Sequence, residues 1–244
     1  MSDPLAPLLD LPGVADAVRS AREAVDAVHR HPTNRRGWPT TAAEASVRAA
    51  RASAAIDGAD PEIPAGGAVD EPVLAGALRV GEALGPMLPT WERAPMQALA
   101  RLHVLAAADL VSDPDQMGRP RADVGVGRRL DLLCQLVTGG TSVPGAVLAA
   151  VVHGELLALQ PFGTADGVVA RAAARLTMIS TGLDPKGLSV PEVACFRRGR
   201  RYREAARGFA GGRPDGVRDW LVFSCESVEA GAREATSIAD AAAE

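Results

Sequence analysis

The sequence predicts an all-α fold with one short β feature, and three observations carry that expectation. Val14, Val18, Val25 and Val28 recur on one face of a helix-period pattern. The chain is 47% apolar but only 3% aromatic, so alanine supplies much of the apolar content, and alanine favours closely packed helices. The one stretch with strand-like alternation is "ADVGVG", residues 122–127, which is short and glycine-rich and predicts a small hairpin.

The elements follow in order. Pro12-Gly13 precedes the valine-patterned helix, which ends near His29-Arg30. "HPTNRRGWPTT" reads as a loop, and a second helix runs from about Ala42 to Ile56. "DGADPEIPAGGAVDEP" ends it and forms a surface connection to the main body. Further helices are expected at 72–86, 95–111, 128–138, 144–159, 167–181, 190–196, 199–210 and 215–232. Gly182 marks a C-terminal cap, and Pro191 after Ser189 marks a first turn. The domain expectation is an N-terminal helical extension over 1–60, a main helical domain over 61–236 and a frayed tail over 237–244.

Bulk properties exclude several classes. A net charge of −4 disfavours a general nucleic-acid binder. Lys186 is the only lysine, and this arginine and alanine bias resembles a GC-rich bacterial composition. Cys134, Cys195 and Cys225 are odd in number, far apart and without metal-ligand spacing, so they read as small buried hydrophobes in a reducing compartment. His29 and His31 bracket a loop without spaced acidic or Cys partners, and no metal site is expected. "MSDPLAPLLDLPG" lacks the features of a secretory signal, and no run approaches the ~20 apolar residues of a membrane span. These features predict a cytoplasmic protein with no membrane partner. The basic cluster "RRGRRYR", 197–203, reads as a solvated helix face.

The chemistry concentrates in "LALQPFGTADGVVAR", Leu157 to Arg171. Pro161 breaks a helix, and a new helix forms by Val168 with Arg171 one turn in. Free N–H groups at a helix start, the helix dipole and an arginine together frame an anion. The candidate phosphate or nucleotide ligands are Gly163, Thr164, Ala165, Asp166, Gly167 and Arg171.

Residues 160–171, Q-P-F-G-T-A-D-G-V-V-A-R, resemble the Fic/Doc (Fido) motif H-P-F-x-(D/E)-G-N-G-R-x-x-R. Pro161, Phe162, Gly167 and Arg171 match, and His153 matches a histidine often found seven residues before the motif's own. "LHVLAAADL", "MGRPRADVGVG", "GLDPKGLSVPE", Tyr202 and "DGVRDWLVFSCESVEAGA" extend the resemblance over roughly residues 45 to 235. It implies a Fic-like α-helical bundle with a small β-hairpin flap, and protein AMP transfer from ATP with Mg²⁺.

The departures from that motif argue against the activity. Gln160 stands where the family has its catalytic His, and an amide is not a useful base near neutral pH. Thr164 replaces the acid that helps hold Mg²⁺, and its hydroxyl is a poorer ligand. Ala165-Asp166 replaces Gly-Asn, which sets an aspartate toward the triphosphate. Val168 replaces the first arginine. His153 lies two turns, about 10 Å, from position 160 and is too far to replace the base.

"RASAAIDGAD" adds a second feature. Ser53, Asp57 and Gly58 resemble the family's inhibitory motif (S/T)-x-x-x-E-(G/N), whose glutamate pairs with the second motif arginine. Here that implies a pair between Asp57 and Arg171; read without the resemblance, Asp57-Gly58 is a helix end with a turn residue. The functional expectation is a degenerate Fic-like protein without AMP transfer that binds a protein partner or a nucleotide-like ligand. The alternative is a nucleotide-dependent transferase with altered catalytic residues.

Overall fold

The computed structural model describes residues 3–243, so Met1, Ser2 and Glu244 of the outer segments lie outside it. Among the described residues it contains α-helices and short helical turns, and no strand. The helices are α1 (Val14–Arg30), α2 (Pro32–Arg36), α3 (Trp38–Ile56), α4 (Pro72–Arg93), α5 (Pro95–Ala106), α6 (Val124–Gln135), α7 (Gly145–Leu159), α8 (Asp166–Ser180), α9 (Pro191–Arg197), α10 (Gly199–Ala210) and α11 (Pro214–Ala241). Prolines sit in the first turns of α4, α5, α9 and α11, where the missing N–H costs no helical bond.

Helix α7 is the axis of the fold. It is apolar on every face and buried from Ala146 to Leu159 with few breaks, as a helix surrounded by others must be. Helix α8 packs along it. On one side, Leu102, Leu130, Leu156 and Leu176 join α5, α6, α7 and α8 in one core. On the other, Val14, Val25, Val147 and Leu221 join α1, α7 and α11 in a second. All four valines read from the α1 pattern are buried. The N-terminal helices therefore share core with the main body: α1 packs on α11, and α3 packs on α4 and α9.

Several expectations are corrected. The hairpin expected at 122–127 is the start of α6, with Asp123 as N-cap accepting from the Gly125 N–H at 3.0 Å. Val126, Leu130 and Leu133 are spaced for one helical face, and all three are buried. "HPTNRRGWPTT" contains α2, and Thr41 bonds the buried Asn34 amide oxygen at 2.7 Å. Helix α11 continues through the expected tail to Ala241, burying Ile238 and Ala239. Both loop histidines find acids far away in sequence, His29 at 2.8 Å from Asp184 and His31 at 3.1 Å from Asp240.

The basic cluster lies largely paired on the surface. Arg198 and Arg201 meet Glu226, Arg197 meets Glu234, and Arg200 faces Glu204. Tyr202 turns inward instead and is buried. No helix among the described residues is long and apolar enough to cross a membrane.

Candidate functional site

The site is built where α7 ends and α8 begins. Leu159 is the last helical residue of α7. Gln160 then takes the left-handed conformation, φ 44° and ψ 60°, with its side chain in solvent. Three bonds from Arg121 cover this helix end. Its backbone N–H donates to the Pro161 carbonyl at 2.7 Å, Nε to that of Gln160 at 3.0 Å, and Nη2 to that of Leu159 at 2.8 Å. A cation on the last carbonyls of a helix satisfies groups that otherwise lack partners and complements the dipole.

The loop is braced from inside by two further contacts. Phe162 stacks on the His103 ring, with centroids 4.3 Å apart and planes within 6°. His103 Nδ1 in turn accepts from the Gly118 N–H at 2.9 Å. Asp166 folds back so that Oδ1 accepts from the Phe162 N–H at 2.9 Å. Burial raises the Asp166 pKa, and the N–H groups of Phe162 and Gly163 oppose the rise. The sequence sets this carboxylate toward a phosphate; its position in the first turn of α8 instead lets it close the loop.

Ala165 holds a left-handed conformation at φ 53°, which a glycine would take without cost. The N–H groups of Thr164 through Val168 have no backbone acceptor among the described residues, so the α8 N-terminus keeps its donors available. Val168 is 3% exposed and packs in the core beside α4 and α5. No cation stands at that position.

Arg171 is the buried cation of the site and is 3% exposed. Nε donates to Ser53 Oγ at 2.7 Å, and Nη2 donates to the Ser53 carbonyl at 3.0 Å and to Asp57 Oδ2 at 2.7 Å. Burial works to lower the Arg171 pKa, but the Tyr202 oxygen and the Asp57 carboxylate beside the guanidinium outweigh it and raise it. Asp57 is also the C-cap of α3, and Gly58 follows in the left-handed conformation at φ 89°. The Ala59 N–H closes that end on the Ala54 carbonyl at 3.1 Å. A helix end and an arginine partner are thus the same two residues. The Asp57 carboxylate lies over Gly167, where an added Cβ would come within 2.6 Å of Oδ1.

Behind Arg171, His153 Nε2 lies 2.9 Å from the Tyr202 hydroxyl, and its ring meets Trp220 edge-on. Burial, reinforced by the Arg171 charge, lowers the His153 pKa to about 3, so it is a neutral packing and hydrogen-bonding group. The structure therefore joins Ser53, Asp57, Gly167 and Arg171 in one cluster, and sets Gln160, Gly163 and Thr164 on the outer loop. Sequence reasoning missed Arg121 and His103. Neither lies in the motif, and neither carries a spacing that points to the loop.

No family model matches the chain, and no curated protein matches it by sequence. Solved structures do. A Fic family protein from Desulfovibrio desulfuricans G20 superposes with a TM-score of 0.74 at 18% identity, over 93% of this chain and 74% of that one. Fic-1 (residues 134–508) from C. elegans superposes with a TM-score of 0.70 at 16% identity, over 95% of this chain and 74% of that one. The chain has the Fic fold. Within the Fic fold as this chain builds it, the α7–α8 loop stands between the Arg121 segment on one side and the end of α3 on the other.

Proposed function

We propose that this Fic-fold protein binds a ligand or a protein partner through the α7–α8 loop and does not transfer AMP. The observation that carries the reading is the commitment of Arg171, the one cationic residue within 160–171, to Ser53 and Asp57 of the same chain. The other substitutions support it. Gln160 supplies no base, and the buried Val168 supplies no charge to a phosphate.

The residues do not fit a Mg²⁺ ion. Asp166 is turned inward onto the Phe162 N–H, Asp57 is paired with Arg171, and Thr164 offers a neutral hydroxyl. The free N–H groups at the start of α8 still favour an anion. The Asp57 carboxylate, seated over Gly167, stands between such an anion and Arg171.

The test has two parts. Wild-type protein is incubated with α-labelled ATP, Mg²⁺ and a protein lysate, and no label transfer is expected. Calorimetry with ATP, ADP and GTP, with and without Mg²⁺, is run on wild type and Asp57→Ala. Tighter binding is expected in Asp57→Ala, with little dependence on Mg²⁺. Label incorporation that disappears in Arg171→Ala would overturn the proposal and establish a transferase with altered residues.

A further inference from the structure

Residues 196–207, which run from the end of α9 through most of α10, hold six arginines and one glutamate. That is a charge of +5 in a chain whose total is −4, so the other residues together carry −9. Helical spacing sorts α10 into two faces. Tyr202, Ala205 and Phe209 are buried against the body. Arg200, Arg203, Glu204 and Arg207 follow at i, i+3, i+4 and i+7 on the opposite, exposed face. Like charges at this spacing repel one another and weaken a helix.

The fold offsets little of that repulsion. Two α11 carboxylates reach the segment, and each is shared by two arginines: Glu226 by Arg198 and Arg201, and Glu234 by Arg197 and Arg48 of α3. Glu204 faces Arg200 at 3.7 Å, beyond hydrogen-bond distance, and that arginine side chain is 90% exposed. Arg203 and Arg207 meet no carboxylate among the described residues. Arg203 folds back toward the start of α10, where a Cβ added at Gly199 would lie 3.4 Å from its Nη1. Its charge therefore sits toward the α9–α10 junction, and Phe196 stands at that junction 49% exposed. Arginines without partners beside an exposed aromatic ring are the residue types enriched in protein interfaces.

We propose that this face docks a short acidic segment of a protein partner, with carboxylates on Arg200, Arg203 and Arg207 and an apolar side chain on Phe196. Charge complementarity selects the acidic occupant, since guanidinium forks match carboxylates. The footprint selects a short one. From Arg200 to Arg207 the helix rises only about 10 Å. The surface beyond belongs to a body of opposite net charge, so a long polyanion such as RNA would run onto it and be repelled. Tyr202 is buried, so no aromatic ring among these arginines is presented for base stacking. This inference does not rest on what the α7–α8 loop binds.

The test uses the full chain and a short fluorescent peptide of glutamate and leucine in helical period, followed by anisotropy. Saturable binding that weakens as salt is raised is expected. Removing both unpaired arginines, in Arg203→Ala/Arg207→Ala, is expected to weaken it roughly tenfold. Arg35→Ala/Arg36→Ala removes the same charge from exposed positions on α2 and is expected to change it little. Phe196→Ala is expected to weaken the peptide but not a version with serine in place of leucine. Absence of saturable binding, equal losses in the α10 and α2 variants, or tighter binding of a labelled single-stranded RNA of matched charge would each overturn the proposal. Thermal unfolding without peptide adds a second arm. Arg203→Ala/Arg207→Ala is expected to keep or raise the Tm, because repulsion is relieved and no pair is lost. A clear fall would show that these arginines hold the fold rather than a partner, and would also overturn the proposal.

Discussion

Asp57 and Arg171 meet 2.7 Å apart, although they are 114 positions apart in the chain. The arginine side chain is 3% exposed and the aspartate 28%. This geometry lies between two regimes. Exposed pairs contribute about 0–1 kcal/mol, while breaking a fully buried pair costs about 3–5 kcal/mol because one charge is left uncompensated. Asp57→Ala and Arg171→Ala are therefore expected to be non-additive in urea unfolding, with a coupling of roughly 1–2 kcal/mol. A cycle that closes without coupling would remove any role for the pair in holding α3 against α8.

Gly167 provides a second, opposite-signed test of the same contact. Alanine is the better helix former by about 1 kcal/mol, so Gly167→Ala in the first turn of a helix would ordinarily be neutral or stabilising. Here the new Cβ would fall within 2.6 Å of the Asp57 carboxylate. The substitution is expected to destabilise the wild type by roughly 1–2 kcal/mol and to become neutral or stabilising in Asp57→Ala. Equal effects in the two backgrounds would show that the carboxylate does not rest on Gly167.

Much of this arrangement is legible in the sequence because it follows short-range rules. The α1 valines report a buried face by period, and Pro161 with its glycines reports the break between α7 and α8. The proximity of Asp57 to Arg171 is legible only through the resemblance to the Fic motif. What remains hidden depends on direction or on distance along the chain. Asp166 has the same charge whether it faces a ligand or folds back to Phe162 N–H, and only the α8 geometry selects. Arg121 caps α7 from a segment 38 positions away from Leu159, with no periodicity to announce it. "ADVGVG" shows strand alternation over a few residues, but the helical spacing of Val126, Leu130 and Leu133 spans further and buries more.

Stability is expected to depend on pH through His153. Its folded pKa is about 3, lowered by burial and then by Arg171, against about 6.5 in the unfolded chain. A depressed folded value means the full contribution is present above about pH 6.5 and is lost as pH falls toward 3. Within that window the slope approaches about 1.4 kcal/mol per pH unit for this group. His103, lowered by burial, acts in the same direction. Asp184 is held low by His29 and the Ser189 and Leu188 N–H groups against its burial, so it adds loss only below about pH 4. Urea unfolding between pH 7.5 and 4 covers this window; Asp166, raised by burial, acts there in the opposite direction, so the His153 part is read from the difference between wild type and variant. His153→Gln is expected to be less stable at pH 7.5 and to show a shallower slope, and an unchanged slope would show that His153 is not buried as a neutral ring.

Gln160→His alone is not expected to produce AMP transfer. The substitution restores a group with a pKa near neutrality, and a well-placed general base contributes typically ~10²–10⁴-fold. Phosphoryl-type chemistry depends mostly on positioning and charge stabilisation, and neither is restored. Arg171 remains bonded to Ser53 and Asp57. Thr164 still offers no carboxylate to a metal. Val168 cannot simply become the missing arginine, because it is 3% exposed in the core between α8 and its neighbours, and a charge there would be stranded. Asp166→Asn is the mildest of the loop changes, since its amide oxygen can still accept from the Phe162 N–H. Recovery is therefore expected to need Asp57→Ala to free Arg171 together with Gln160→His and Thr164→Asp, and Val168→Arg only if the helix repacks. The measurement is transfer from α-labelled ATP by each variant in turn. Robust transfer from the single Gln160→His protein would show that the loop holds and orients the nucleotide while Arg171 stays paired, and the proposed loss of phosphate handling would be wrong.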